Sequence, residues 1–69
     1  MPEMTVQSWP AYTVSKTDDG RFETYFNSTE GPHLLGVRPK YKPAQRLCEQ
    51  HAGRVLAWKS LGGGNYTGT

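Results

Sequence analysis

Three groups of residues in this chain have types and spacings suited to chemistry. The first is Arg38-Pro39-Lys40-Tyr41-Lys42, followed by Arg46. It interleaves cations with an aromatic ring, as phosphate-binding surfaces do. Lys42 also lies just before a predicted helix start, where backbone N–H groups favour anions. The competing reading is a solvated basic loop. The second group is Cys48 and His51, spaced as a nucleophile and base on one helix would be. No third orienting residue or oxyanion feature accompanies them, and a core cysteine beside a half-buried histidine is the simpler reading. The third is Asp18-Asp19, a carboxylate pair suited to acid–base work. It precedes Gly20, and turn chemistry accounts for both residues. Gly62-Gly63-Gly64 lacks the strand, lysine and helix of a phosphate loop. The chain therefore reads as a non-enzyme with no catalytic residues.

Composition narrows the field further. The chain has 69 residues, one cysteine and two histidines. That excludes an internal disulfide and leaves too few ligands for a closed zinc site. No metal or cofactor is expected, and no small-molecule substrate. A domain this short buries only about 60% of its unfolded surface, so packing must be used well. The aromatic residues carry much of that load. No charged-then-apolar leader and no run of membrane-spanning length is present, which predicts a soluble cytoplasmic protein without a membrane partner. The net charge of +2 hides a split. Residues 1–30 hold Lys16 and Arg21 against Glu3, Asp18, Asp19, Glu23 and Glu30. Residues 31–69 hold Arg38, Lys40, Lys42, Arg46, Arg54 and Lys59 against Glu49 alone. The second half is suited to an anionic partner.

The elements that must position these residues follow from periodicity. Residues 1–8 are polar and expected to fray. Trp9-Pro10 opens a strand that continues as Tyr12-Thr13-Val14-Ser15-Lys16. Asp19-Gly20 is a strong hairpin signal. Arg21 to Phe26 returns, with Phe22, Thr24 and Phe26 on one face and Arg21, Glu23 and Tyr25 on the other. After a loop over 27–32, His33 to Val37 forms a third strand. Pro43 suits the first helical position, and Ala44, Leu47, Cys48 and His51 make an apolar stripe. Gly53 is read as the left-handed residue ending the helix. Val55 to Trp58 then reads as a strand, the alternative being a helix that runs on to Ser60. The glycine turn and Asn65-Tyr66-Thr67 give a short edge strand or tail over 62–69.

The expected fold is α+β: one domain over 9–61, an antiparallel three-stranded meander with one helix on it, and a short C-terminal β-hairpin. The expected core is Val14, Phe22, Phe26, Leu35, Val37, Ala44, Leu47, Cys48, Val55 and Trp58.

Val14, Gly20, Phe22, Thr24 and Phe26, then Leu35-Gly36 and Ala44, resemble in spacing a three-strand-plus-helix DNA-binding domain. That domain occurs in plant ethylene-response factors and in the arm-binding domains of phage tyrosine integrases. The resemblance covers about residues 12–52. It implies a sheet whose exposed face enters the major groove, here offering Thr13, Ser15, Arg21, Glu23, Tyr25 and Arg38. This face has fewer cations than the family's, and the chain continues past the helix that usually ends the domain.

The sequence thus points to a small binding module, such as a phage or mobile-element accessory protein. Its expected partner is nucleic acid or a nucleoprotein complex, met by Arg38, Lys40, Tyr41, Lys42 and Arg46, with Arg21 and Tyr25 adding groove or stacking contacts. The alternative is an anti-CRISPR-like inhibitor that docks on a larger host protein complex by charge complementarity. Oligomeric state is left open.

Overall fold

The computed structural model describes residues 11–69; the expected frayed segment and the strand opening at Trp9-Pro10 lie outside them. Alternating apolar residues build β1 (Tyr12–Lys16) and β2 (Phe22–Ser28), joined by the turn at Asp18-Asp19. Gly20 donates its N–H to the Thr17 carbonyl at 3.0 Å and sits at φ +87°, where a Cβ would be strained. β3 (Gly31–Arg38) completes the meander, and α1 (Tyr41–Ala52) crosses its face. β4 (Trp58–Gly62) and β5 (Asn65–Gly68) form the C-terminal hairpin. The five strands make one antiparallel sheet in the order β3-β2-β1-β5-β4. The α+β class, the meander with its helix and the hairpin are as the sequence predicts.

The last strand differs from expectation. β5 is not an edge but lies between β1 and β4. Its pairing sets Tyr66 beside Val14 and Gly68 beside Tyr12. Gly68 has no side chain, so the Trp58 ring can lie over it; a Cβ there would meet that ring at 2.9 Å.

The helix begins at Tyr41, with Pro43 as its third residue rather than its first. N–H groups of the first turn have no intrahelical acceptor, so proline's missing donor is harmless there. Tyr41 anchors the start, its ring against those of Tyr66, Phe22 and Trp58 with centroids 4.0, 6.1 and 6.2 Å away. Gly53 ends the helix at φ +74°, its N–H bonded to the Glu49 carbonyl at 2.9 Å. The stop expected at Gly53 is the one the chain uses, and the alternative of a helix running to Ser60 is not adopted.

Tyr12, Val14, Ala44, Cys48 and Leu56 are buried between sheet and helix, with Phe22, Phe26, Leu35, Tyr41, Trp58 and Tyr66 packed around them. Three expected core residues are not in it: Val55 is 82% exposed, Val37 is 38% exposed, and Leu47 is half-buried at the edge of the helix, over Gly36 of β3. Val55 lies in the connection between α1 and β4, where Leu56 turns inward in its place. Val37 follows a register shift in the β2–β3 pairing, in which Thr24 meets Gly36 while Tyr25 meets Leu34. The extra residue, Leu35, exchanges the faces of everything after it.

β3 borders the sheet. Asn27 donates its N–H to Ala11, on the β1 side, so alternation turns the main-chain groups of its partner Pro32 away from β2, and those of Leu34 and Val37 likewise. Pro32 has no N–H to offer there. The Val37 carbonyl is occupied by Nη1 of Arg38 at 2.9 Å.

Candidate anion-binding end

The register gathers one charge type at one end of the sheet. Lys16 pairs with Phe22 and Phe22 with Arg38, so the end of β1, the start of β2 and the end of β3 are level. Arg21 immediately precedes β2. Two residues beyond Arg38, Lys40 is the N-cap of α1, and Lys42 is in the first turn. Arg46 lies one turn further along and is exposed, as is Lys42. Six cations therefore lie at this end of the sheet and along the first turns of α1, against Asp18 and Asp19 in the turn and Glu23 on the sheet.

The helix terminus itself is unusually open to an anion. Lys40 is extended at φ −138° and makes no side-chain cap, and no acidic residue stands in the first turn. The N–H groups of Tyr41 and Lys42 have no helical acceptor at this end, and the helix dipole adds a partial positive charge.

Not every expected residue joins this surface. Arg38 does not reach the open face of the sheet. Its pairing with Phe22 turns it to the helix side, where its guanidinium lies beside Gly36 and Leu47, because the extra residue Leu35 reverses its parity. Tyr41 is stacked inward. Tyr25 is on the open face, but its hydroxyl donates to Glu23 Oε1 at 2.8 Å, and that hydrogen bond raises its pKa. Arg21 pairs with Asp19 at 3.5 Å, with both side chains mostly exposed. Asp19 is itself held below the usual carboxylate range, mainly by the Thr17 hydroxyl. Lys16 was not among the expected contacts. The signal for it was the hairpin register, which sets it opposite the first residue of the return strand.

The other chemical candidates resolve into structure. Burial pushes the Cys48 thiol up to about 11, so no reactive thiolate forms at neutral pH. His51 is exposed rather than half-buried, its Nδ1 2.8 Å from the Tyr12 hydroxyl. Asp18 and Asp19 lie in the hairpin turn. Among the described residues no group of three or more His, Cys, Asp or Glu side chains could hold a metal, and no helix is long and apolar enough to cross a membrane. A shallow depression lined by Asn27, Ser28, Thr29, Gly31 and Pro32 lies at the opposite end, away from the cations.

Glu49 ties the far side of the helix to the C-terminal hairpin. Its Oε2 accepts the Leu56 N–H and the Trp58 indole N–H, each at 3.1 Å. The Leu56 bond, then the Trp58 bond, holds its carboxyl below the ordinary glutamate range. A depressed folded value adds stability above the unfolded pKa, and that stability is lost as pH falls through the folded one. Glu49→Gln is therefore expected to lower the melting temperature at neutral pH and to flatten its fall in acid. Asp19 retains its own acid response. An acid limb identical to that of the parent chain would refute this role.

Comparison with protein-family models, curated proteins and solved structures gave no match for this chain.

Proposed function

We propose that this protein is a non-catalytic binding module that docks on nucleic acid, or on the nucleic acid of a nucleoprotein complex, through its basic end. The observation supporting this reading is that the ends of β1 and β3, with Lys16 and Arg38, lie level with the start of β2 beside Arg21, while Lys40 and Lys42 stand at the uncapped start of α1 and Arg46 follows one turn on. Cations that displace condensed counterions gain free energy from their release, and a helix N-terminus adds oriented N–H donors. The test is the combined variant Lys40→Ala, Lys42→Ala and Arg46→Ala. Arg38 is left in place because it also caps the Val37 carbonyl. The three are surface positions, so circular dichroism and melting should be nearly unchanged. Affinity for a mixed-sequence duplex at low salt should fall about tenfold to a hundredfold, with a shallower dependence on salt. Unchanged affinity in the folded variant would leave the basic end as a solvated face.

A second reading, an inhibitor docking on a larger host protein complex, is favoured by a different observation. Leu34 is 57% exposed, beside Val37 and Tyr25 on the face of the sheet that the helix leaves open. Leu34→Asp would abolish co-purification with a host complex on this reading and would leave duplex affinity within the effect of one added charge.

A further inference from the structure

Resting on the nucleic-acid reading, we infer that the basic end takes the phosphate backbone of a duplex without reading its bases. Single-strand binders hold bases on aromatic platforms, and sequence readers present amides or guanidinium groups free to meet base edges. Both aromatic candidates near the cations are engaged elsewhere. Tyr41 has Tyr66 against its ring at 4.0 Å and Phe22 and Trp58 at its flanks, so it is part of the packing that starts the helix. Tyr25 is tied to Glu23, whose carboxylate repels a nucleic-acid strand approaching that ring. The nearest side-chain amide on the helix, Gln45, donates to Glu49 at 3.5 Å. Of the guanidinium groups at this end, Arg38 is bonded to the Val37 carbonyl and Arg21 faces Asp19, which leaves Arg46, a turn into the helix, as the single candidate for a base edge.

What is exposed at this end is charge: Lys16, Lys40, Lys42, which also feels the Glu49 carboxylate, and Arg46, beside the uncapped helix start. Three of these four are lysines, whose ammonium groups are point charges on flexible stems without the rigid fork by which arginine matches a base edge. A duplex carries one phosphate charge per about 1.7 Å of axis, so it offers more charge to such a surface than a single strand does.

The experiment is fluorescence anisotropy of the full chain with two short duplexes of unrelated sequence and one of their single strands, across a salt series. The two duplexes should bind within about twofold of each other, and the single strand at least about fivefold more weakly. The slope of log affinity on log salt should be about −4, corresponding to roughly four phosphate contacts. A tenfold preference between duplexes, or a tighter single strand, would overturn this inference and leave the proposed function standing. No binding of any strand at low salt would overturn both. Tyr41→Phe and Tyr25→Phe, which keep the rings, should leave all three affinities unchanged; a loss in either would show a tyrosine hydroxyl reading the nucleic acid.

Discussion

Tyr12→Ala is expected to remove a large part of the protein's stability, moving its denaturation midpoint far toward zero denaturant. Tyr12 is 4% exposed and stands where sheet and helix meet. Its ring lies 5.3 Å from that of Phe26 and 5.7 Å from that of His51. Its hydroxyl is hydrogen-bonded to His51, and burial raises its pKa, so the phenol stays neutral. Removing a buried aromatic ring costs about 3–5 kcal/mol, because neighbours only partly refill the cavity. A small domain holds about 5–15 kcal/mol in total. Tyr12→Phe separates ring from hydroxyl and should cost only about 0.5–1.5 kcal/mol. Chemical denaturation of both variants decides the matter. An unchanged midpoint for Tyr12→Ala would mean that the helix does not rest on β1 as described.

The second large effect is a contrast between neighbours. Leu56 is 4% exposed and Val55 82%. Leu56→Ala should cost about 2–5 kcal/mol through lost burial and the cavity left behind. Val55→Ala should stay within about 0.5 kcal/mol, as surface changes do. Leu56 also hangs its N–H on Glu49, so its side chain and backbone together hold the connection that leads into β4. Equal midpoints for the two variants would refute this arrangement.

This pair shows where the sequence was informative and where it was not. Val55 and Leu56 are both apolar and β-branched or branched, and either fits a buried strand. What separates them is Glu49, seven residues earlier, which captures the Leu56 N–H and the Trp58 indole. No local pattern announces such a tertiary bond. By contrast, Phe22 and Phe26 on one face, Gly20 in the turn and Gly53 at the helix end follow from period and backbone freedom alone, and they are found as read.

The third strand explains two further differences at once. Reading it with a period of two puts Leu35 and Val37 on the core side and Arg38 on the open side. One inserted residue opposite Thr24 and Tyr25 reverses Val37 and Arg38 together. A bulge has no sequence signature as plain as an Asp-Gly turn. At the site, the run from Arg38 to Arg46 was visible as charge. Its completion by Lys16 required knowing which strands lie level, and the withdrawal of Tyr41 required knowing that Tyr66 and Trp58 return to meet it.

The guanidinium of Arg38 and the ring of Pro32 have a consequence for how this protein behaves in a crowd. A border strand with free donors and acceptors is a template on which another chain can add, and the eight residues of β3 include exposed Leu34 and Val37 that would reward such pairing. Along that border a donor is missing at Pro32, the spacing of the remaining groups is broken at Leu35, and the last carbonyl is already taken. An incoming strand finds no continuous ladder to extend. The opposite border, β4, is five residues long, carries Lys59 and has its own register shift between Ser60 and Gly62. Among the described residues neither border offers a long unbroken ladder, and this disfavours open-ended addition of strands from other copies.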